Sequence, residues 1–217
     1  MINYGKEMNY LEFKNHYGHL PVITINDIAN DFDNLQTLRN QLSRWQKNGL
    51  VQKLKRGVFI LNPSDRKTPI HPYYLGNRLY EPSYISLESA LNHYGLIPER
   101  VTDITSITTR KTMKLDNDLG RFIYRHIKPS AFRGFKQVKL DSRPVYMAEP
   151  EKAVLDFFYF HLKLLSNNLT EVILDSFRFQ NFEELSIPRM KDLCALFHCK
   201  KLTHTANAFC GLIEGAP

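Results

Sequence analysis

The chain is poor in what several functional classes require. It has three Cys in 217 residues, an odd and small number that excludes a disulfide scaffold. It contains no run of about 18 apolar residues, which excludes a transmembrane helix. The opening Met1-Ile2-Asn3-Tyr4-Gly5-Lys6-Glu7 has no apolar signal core, so a cytoplasmic protein is expected. The ten Gly are scattered. Neither GxGxxG nor GxxxxGK[ST] occurs, which removes the Gly-rich phosphate cradles, and no GxSxG elbow occurs. Glu is absent between Glu12 and Glu81.

What is present is globular and basic. The apolar fraction is 43%, aromatics are 12% and the net charge is +7, which excludes a disordered chain. The charge is organised. From residue 34 to 67 there are eight cations (Arg39, Arg44, Lys47, Lys53, Lys55, Arg56, Arg66, Lys67) against one acid, Asp65. Phosphates reward clustered cations through counterion release. A helix built only to meet water would mix in Glu, and this segment has none.

The same segment carries a pattern. Asn9 to Tyr17 predicts a first amphipathic helix, and Leu20-Pro21-Val22-Ile23 an extended piece. Thr24-Ile25-Asn26-Asp27 resembles a capping box with Asp in place of Glu, opening a short second helix with Ile28 and Phe32 on one side. Asp33 with Gln36 signals another helix start. The third helix places Leu35, Leu38, Leu42 and Trp45 in one apolar stripe. Its opposite face carries Gln36, Thr37, Arg39, Asn40, Gln41, Ser43, Arg44 and Lys47, and Asn48-Gly49 ends it with a left-handed glycine. Two strand-like runs follow, Leu50 to Leu54 and Val58 to Leu61, joined by the tight basic tip Lys55-Arg56-Gly57.

Three helices and a two-stranded ribbon predict a winged helix-turn-helix over residues 1–62. Arg, Asn and Gln on the third helix are the side chains that read base edges, while basic residues on a wing hold phosphates. The expected DNA contacts are therefore Gln36, Thr37, Asn40 and Arg44 to bases, Arg39 and Lys47 to either, and Lys53, Lys55 and Arg56 to phosphate or the minor groove.

Residues 63–80, with Pro63, Pro69 and Pro72, read as a linker. An α+β domain is expected over 81–217, with a small sheet and a helical C-terminal part. Tyr84 to Leu91 predicts a helix capped by Ser86. Val101 to Thr109, Phe122 to Ile127 and Val145 to Ala148 predict strands, and Glu149-Pro150-Glu151 opens a long apolar helix. Leu169 to Phe209 reads as two or three further helices. From Glu99 to Lys139 there are ten cations against four acids. This is either a solvated sheet face or a second nucleic-acid surface, for which Arg110, Lys111, Arg121 and Arg125 are the residues to change. Cys194, His198, Cys199, His204 and Cys210 lack the usual zinc spacing. Glu149-Pro150-Glu151-Lys152 lacks a carboxylate-x-Lys spacing. No metal, cofactor or catalytic residue is expected.

A family resemblance rests on the wing residues and on three further motifs. These are Tyr84-Ile85-Ser86-Leu87-Glu88-Ser89-Ala90-Leu91 with His93-Tyr94-Gly95-Leu96-Ile97-Pro98-Glu99, then Ile107-Thr108-Thr109-Arg110-Lys111, then Ala148-Glu149-Pro150-Glu151-Lys152-Ala153-Val154-Leu155-Asp156. In this order, covering 24–158, they resemble the AbiEi-type antitoxins, the predicted transcriptional regulators of viral-defence systems. The tail after about residue 165 matches no part of that pattern. The resemblance implies a winged helix that represses its own operon at inverted repeats. It also implies a second domain that neutralises a nucleotidyltransferase-like toxin, in a type IV toxin–antitoxin pair acting in abortive phage infection. Three functions are weighed on that basis: a DNA-binding repressor and antitoxin, or an orphan regulator of the same build; a nucleic-acid-modifying enzyme guided by the winged helix; and an interaction protein that has lost DNA binding.

Overall fold

The computed structural model describes residues 8–32, 34–165 and 169–215. The chain is mixed α+β and divides into two compact units, with the boundary between His71 and Pro72.

In the first unit, α1 (Tyr10–Tyr17) starts at Asn9, whose side chain accepts from the Glu12 amide while the Glu12 carboxylate accepts from the Asn9 amide. Such reciprocal capping satisfies two otherwise orphaned donors. Strand β1 (Ile23–Thr24) leads into α2 (Ile25–Ile28), which Thr24 and Asp27 cap in the same reciprocal way. A single tight turn, Ala29–Asp31, follows. Then come α3 (Leu35–Lys47), β2 (Val51–Lys55) and β3 (Val58–Leu61). The strands form one antiparallel sheet in the order β1-β3-β2. Asp33 lies outside the described residues, and Asn34 is the residue that caps α3. Gly49, at φ +70°, closes α3 as expected.

Two details of α3 depart from the expected stripe. Leu38, Leu42 and Trp45 are buried with Phe13, Tyr17, Ile28 and Phe59, whereas Leu35, in the first turn, is 40% exposed. Gln41, placed on the polar face by sequence, is buried, and its side-chain amide donates to the Met8 carbonyl at 3.1 Å. Met8, just before α1, thus covers the flank of α3 on which Gln41 lies.

The second unit begins with α4 (Pro72–Leu79), which buries Leu75, Gly76, Asn77 and Leu79. The expected linker 63–80 therefore ends at His71. Pro72 marked a break by sequence, but it opens a helix, where proline's missing N–H costs nothing. A six-stranded mixed sheet follows: β4 (Ser83–Ile85), β5 (Ile104–Thr108), β6 (Met113–Asn117), β7 (Gly120–His126), β8 (Phe135–Leu140) and β9 (Arg143–Ala148), in the order β6-β7-β5-β4-β9-β8. It is larger than expected. The predicted helix over Tyr84–Leu91 begins as strand: Tyr84 and Ile85 belong to β4, and α5 is Leu87–His93.

Side chains alternate along strands, and that alternation sorts the two faces. Ile85, Ile104 and Ser106 face α4, where a Cβ on Gly76 would lie only 3.0 and 3.1 Å from Ile104 and Ile85. The bare glycine lets the helix lie against the sheet. Tyr84 and Thr105 face the other way, toward α5 and α6 (Pro150–Leu165). After α6 come a one-turn helix α7 (Leu169–Glu171), a π-helical turn (Val172–Ser176), α8 (Ile187–Ala195) and α9 (Lys200–Glu214). Phe158, Phe179, Phe182 and Phe209 form the aromatic centre of this helical part.

Candidate nucleic-acid interface

The first unit holds α3 rigidly. Asn34 accepts from the amides of Gln36 and Thr37 at 2.7 and 3.4 Å, and Leu38, Leu42 and Trp45 anchor the inner side. Each Leu or Trp so buried is worth about 1.5–3 kcal/mol. Successive helical residues rotate by about 100°, which divides the exposed side into two strips. Gln36, Arg39, Ser43 and Gln46 lie along the flank next to the hairpin. Thr37, Asn40, Arg44 and Lys47 lie along the outer crest.

The flank and the hairpin enclose a depression of about 630 Å³, lined by Ile25, Gln36, Arg39, Ser43, Gln46, Lys53, Arg56, Gly57 and Phe59. The structure therefore gathers four of the nine expected contacts, Gln36, Arg39, Lys53 and Arg56, in one place. Thr37, Asn40, Arg44 and Lys47 stand beside it on the crest. Ser43 and Gln46 join the site although the sequence reading did not select them. Their spacing from Arg39, four and seven residues on, was the signal. Lys55 is half-buried and already engaged within the protein. The register of the hairpin shifts between Lys53 and Lys55, so the two do not repeat one another's environment, as a bulge dictates.

The chemistry of this surface is one-sided. Among the described residues no carboxylate lies within ion-pair distance of Arg39, Arg44, Lys47, Lys53 or Arg56. The nearby acids are spent elsewhere. Asp65 accepts from Tyr10 and Lys14, which hold its carboxyl below the usual range. Asp31 accepts from Tyr17, and Asp27 serves the α2 cap. Gln36 donates to Asn40 at 3.0 Å, leaving an amide oxygen on one and an amide nitrogen on the other. A paired acceptor and donor is what an adenine edge takes.

The basic residues of the second unit are differently placed. Arg121 pairs with Asp116 at 2.8 Å and approaches Asp103 at 3.8 Å. Arg110 lies over the Tyr80 ring at 4.4 Å and donates to the Glu81 carbonyl. Arg125 lies 5.4 Å from the Phe160 ring centre. Lys111 is exposed. Each of the three Arg has an intramolecular partner, whereas among the described residues Arg39 and Arg44 of α3 have no ion-pair partner.

The sequence motifs meet in the interior. Tyr84 and Ser86 donate to one oxygen of Asp156 at 3.0 and 2.8 Å, and Lys152 pairs with the other. The Lys152 ammonium also lies 4.4 Å from the centre of the Phe197 ring. Burial pushes the Asp156 carboxyl up and the Lys152 ammonium down, each toward its neutral form, and their mutual attraction opposes this. Ser86, between β4 and α5, was expected to cap α5. Its hydroxyl is instead consumed by Asp156, and no side-chain cap is present. A serine beside a lysine and a carboxylate suits nucleophilic chemistry, but Tyr84, Ser86, Lys152 and Asp156 are all fully buried. Packed in the interior, they act as a pin between β4 and α6. Glu149 and Glu151 hold α8: Glu149 takes Arg189 through two bonds of 2.7 Å, and Glu151 accepts the Ser186 amide at 2.9 Å.

Cys194 and Cys210 are buried in the packing of α8 and α9, and burial pushes both thiols up. Among the described residues no group of three or more His, Cys, Asp or Glu side chains is placed to hold a metal ion. None of the described helices is long and apolar enough to cross a membrane. No family model matches the chain, and no curated protein matches it.

Proposed function

We propose that the first unit is a winged helix-turn-helix that binds double-stranded operator DNA, with α3 in the major groove and the β2–β3 hairpin as the wing. The observation that carries this is the uncompensated cationic surface shared by α3 and the hairpin. Thr37, Asn40, Arg44 and the Gln36–Asn40 pair would meet base edges, while Arg39, Lys47, Lys53 and Arg56 would meet phosphates. In this reading the protein is a sequence-specific repressor of its own operon, from the cytoplasm. On the resemblance of its motifs, it is the antitoxin of a type IV pair with a nucleotidyltransferase-like toxin. Arg110, Arg121 and Arg125 contribute a second surface only after giving up their present partners, which leaves Lys111 of that group, so the proposal puts the operator on the first unit.

Gel-shift titration against the DNA upstream of the gene, at several salt concentrations, tests the DNA reading. The expected result is specific binding with a steep salt dependence. Arg44→Ala should relax specificity, and Arg56→Ala should weaken all sequences alike. A folded protein without affinity for that region refutes it. Co-expression with the neighbouring gene tests the antitoxin reading: growth arrest by that gene, relieved by this protein, is expected. An innocuous neighbour leaves a repressor without a toxin.

A further inference from the structure

We propose that the second unit carries a binding site for an uncharged, planar heteroaromatic molecule of one or two rings, in the cleft where β4 and β9 part company. The two strands run parallel but pair only at Ile85 and Met147. Beyond that point Asn77 of α4 replaces the missing ladder. Its side chain accepts from the Tyr146 amide at 2.7 Å and donates to the carbonyls of Tyr146 and Ser83 at 3.3 and 3.4 Å. The strands are thus held apart by a side chain rather than zipped together. The resulting cavity, about 620 Å³, is lined by Tyr74, Asn77, Arg78, Glu81, Pro82, Ser83, Phe132, Phe135, Pro144 and Tyr146. That size lies within the roughly 300–1,000 Å³ of small-molecule sites.

Three features choose the ligand. The walls are aromatic and already fixed. Phe135 stacks on Tyr84 with 4.5 Å between ring centres and 13° between planes, and Phe132 and Tyr146 are set against it at 5.1 and 6.1 Å. Flat rings meet such walls in offset or edge contact without rearranging them. Arg78 and Glu81, the charged residues of the lining, are joined at 2.7 Å, so the cleft offers no net charge and penalises an ionic ligand. Ser83 is only 6% exposed, and among the described residues its hydroxyl has no hydrogen-bond partner. A buried hydroxyl left unpaired is costly, so a ligand bringing an N–H or a ring nitrogen to Ser83 gains a bond there. A hydrocarbon gains none. The proposal is independent of the DNA reading.

Indole and adenine are the probes, titrated into the full chain and followed by ligand-observed NMR, with cyclohexanol and benzoate as the non-planar and the charged comparison. Saturable binding of indole or adenine is expected, with both comparison compounds at least about 10-fold weaker. Ser83→Ala should weaken the ring ligand about 3- to 10-fold, the worth of one hydrogen bond. It should leave the thermal midpoint of the free protein unchanged or raised, because it removes an unpaired hydroxyl. Tyr146→Ala, at a side chain 47% exposed, should weaken it by about 10-fold through loss of one aromatic wall. If neither probe saturates, if cyclohexanol or benzoate binds as well, or if both variants bind like the parent protein, the site is not what is proposed. Should Ser83→Ala fail to fold, the Tyr146→Ala comparison decides.

Discussion

Lys152→Met removes the cation from the interior of the second unit and leaves its partner behind. In the native protein Lys152 and Asp156 are both fully buried and paired. The variant keeps the Tyr84 and Ser86 hydroxyls on Asp156 but leaves its buried carboxylate without a cation. Breaking a buried pair from one side costs about 3–5 kcal/mol, a large part of the stability of a domain this size. Lys152→Met with Asp156→Asn should cost much less, about 1–2 kcal/mol, because the amide oxygen still accepts from Tyr84 and Ser86 and no charge is stranded. The loss also has a pH signature. Burial already raises the Asp156 carboxyl, and removing Lys152 raises it further. A carboxyl raised in the folded state adds stability below its unfolded pKa, near 3.9, and loses it as pH rises through the folded value. The single variant should therefore be closest to the parent in acid and furthest from it at pH 8. The double variant has neither titrating group and should show no such extra loss at pH 8. Urea unfolding followed by circular dichroism measures this. The lone Trp45, in the first unit, gives a separate fluorescence signal for that unit. A single variant that loses less than about 1 kcal/mol at pH 8, or no more than the double, would refute the account of the pin.

The remaining predictions are briefer. Asn77→Ala removes the acceptor of the Tyr146 amide and one donor from each of the Tyr146 and Ser83 carbonyls, and should cost about 2–3 kcal/mol in urea unfolding. Asn77→Asp, which keeps an acceptor for the Tyr146 amide, should recover part of that. Arg39→Ala with Lys53→Ala should lower the slope of log affinity against log salt by about 2 in the operator gel shift, with little change in sequence preference. Arg189 holds the Glu149 carboxyl below its usual range. The sign is that of a depressed acid: its contribution is present above the unfolded pKa and lost as pH falls through the folded one. Glu149→Gln should cost under about 1 kcal/mol at pH 7, and the difference from the parent should vanish in acid melts.

Much of the first unit was legible because its signals are local. Reciprocal caps at Thr24 and Asp27, the Leu38-Leu42-Trp45 spacing and the Gly49 stop act within a few residues. Gln41 escaped because a segment 33 residues earlier covers it. Gln46 escaped because its role needs the hairpin alongside. In the second unit, β6 and β8 were invisible. Their exposed sides carry Lys114, Asp116, Lys136 and Lys139, so composition there resembles a loop. Tyr84 and Ile85 read as the first turn of a helix and became strand because β5 and β9 were there to pair with them. That is tertiary pairing overriding local preference.

By itself the sequence determined where positive charge accumulates, which helix carries it, and that no phosphate loop, nucleophile elbow or zinc spacing accompanies it. Those are matters of residue type and short spacing, which the chain states directly. The tertiary structure alone decided which charges stay unanswered. Arg39, Arg44, Lys47, Lys53 and Arg56 face no described acid, while Arg121 meets Asp116 and Asp103. It also turned two separate motifs, one around Ser86 and one around Asp156, into one buried pin, and opened a cleft between strands whose paired residues, Ile85 and Met147, lie 62 apart in the sequence. Ion pairs, desolvation and cavities depend on distance in space, and the fold sets that distance.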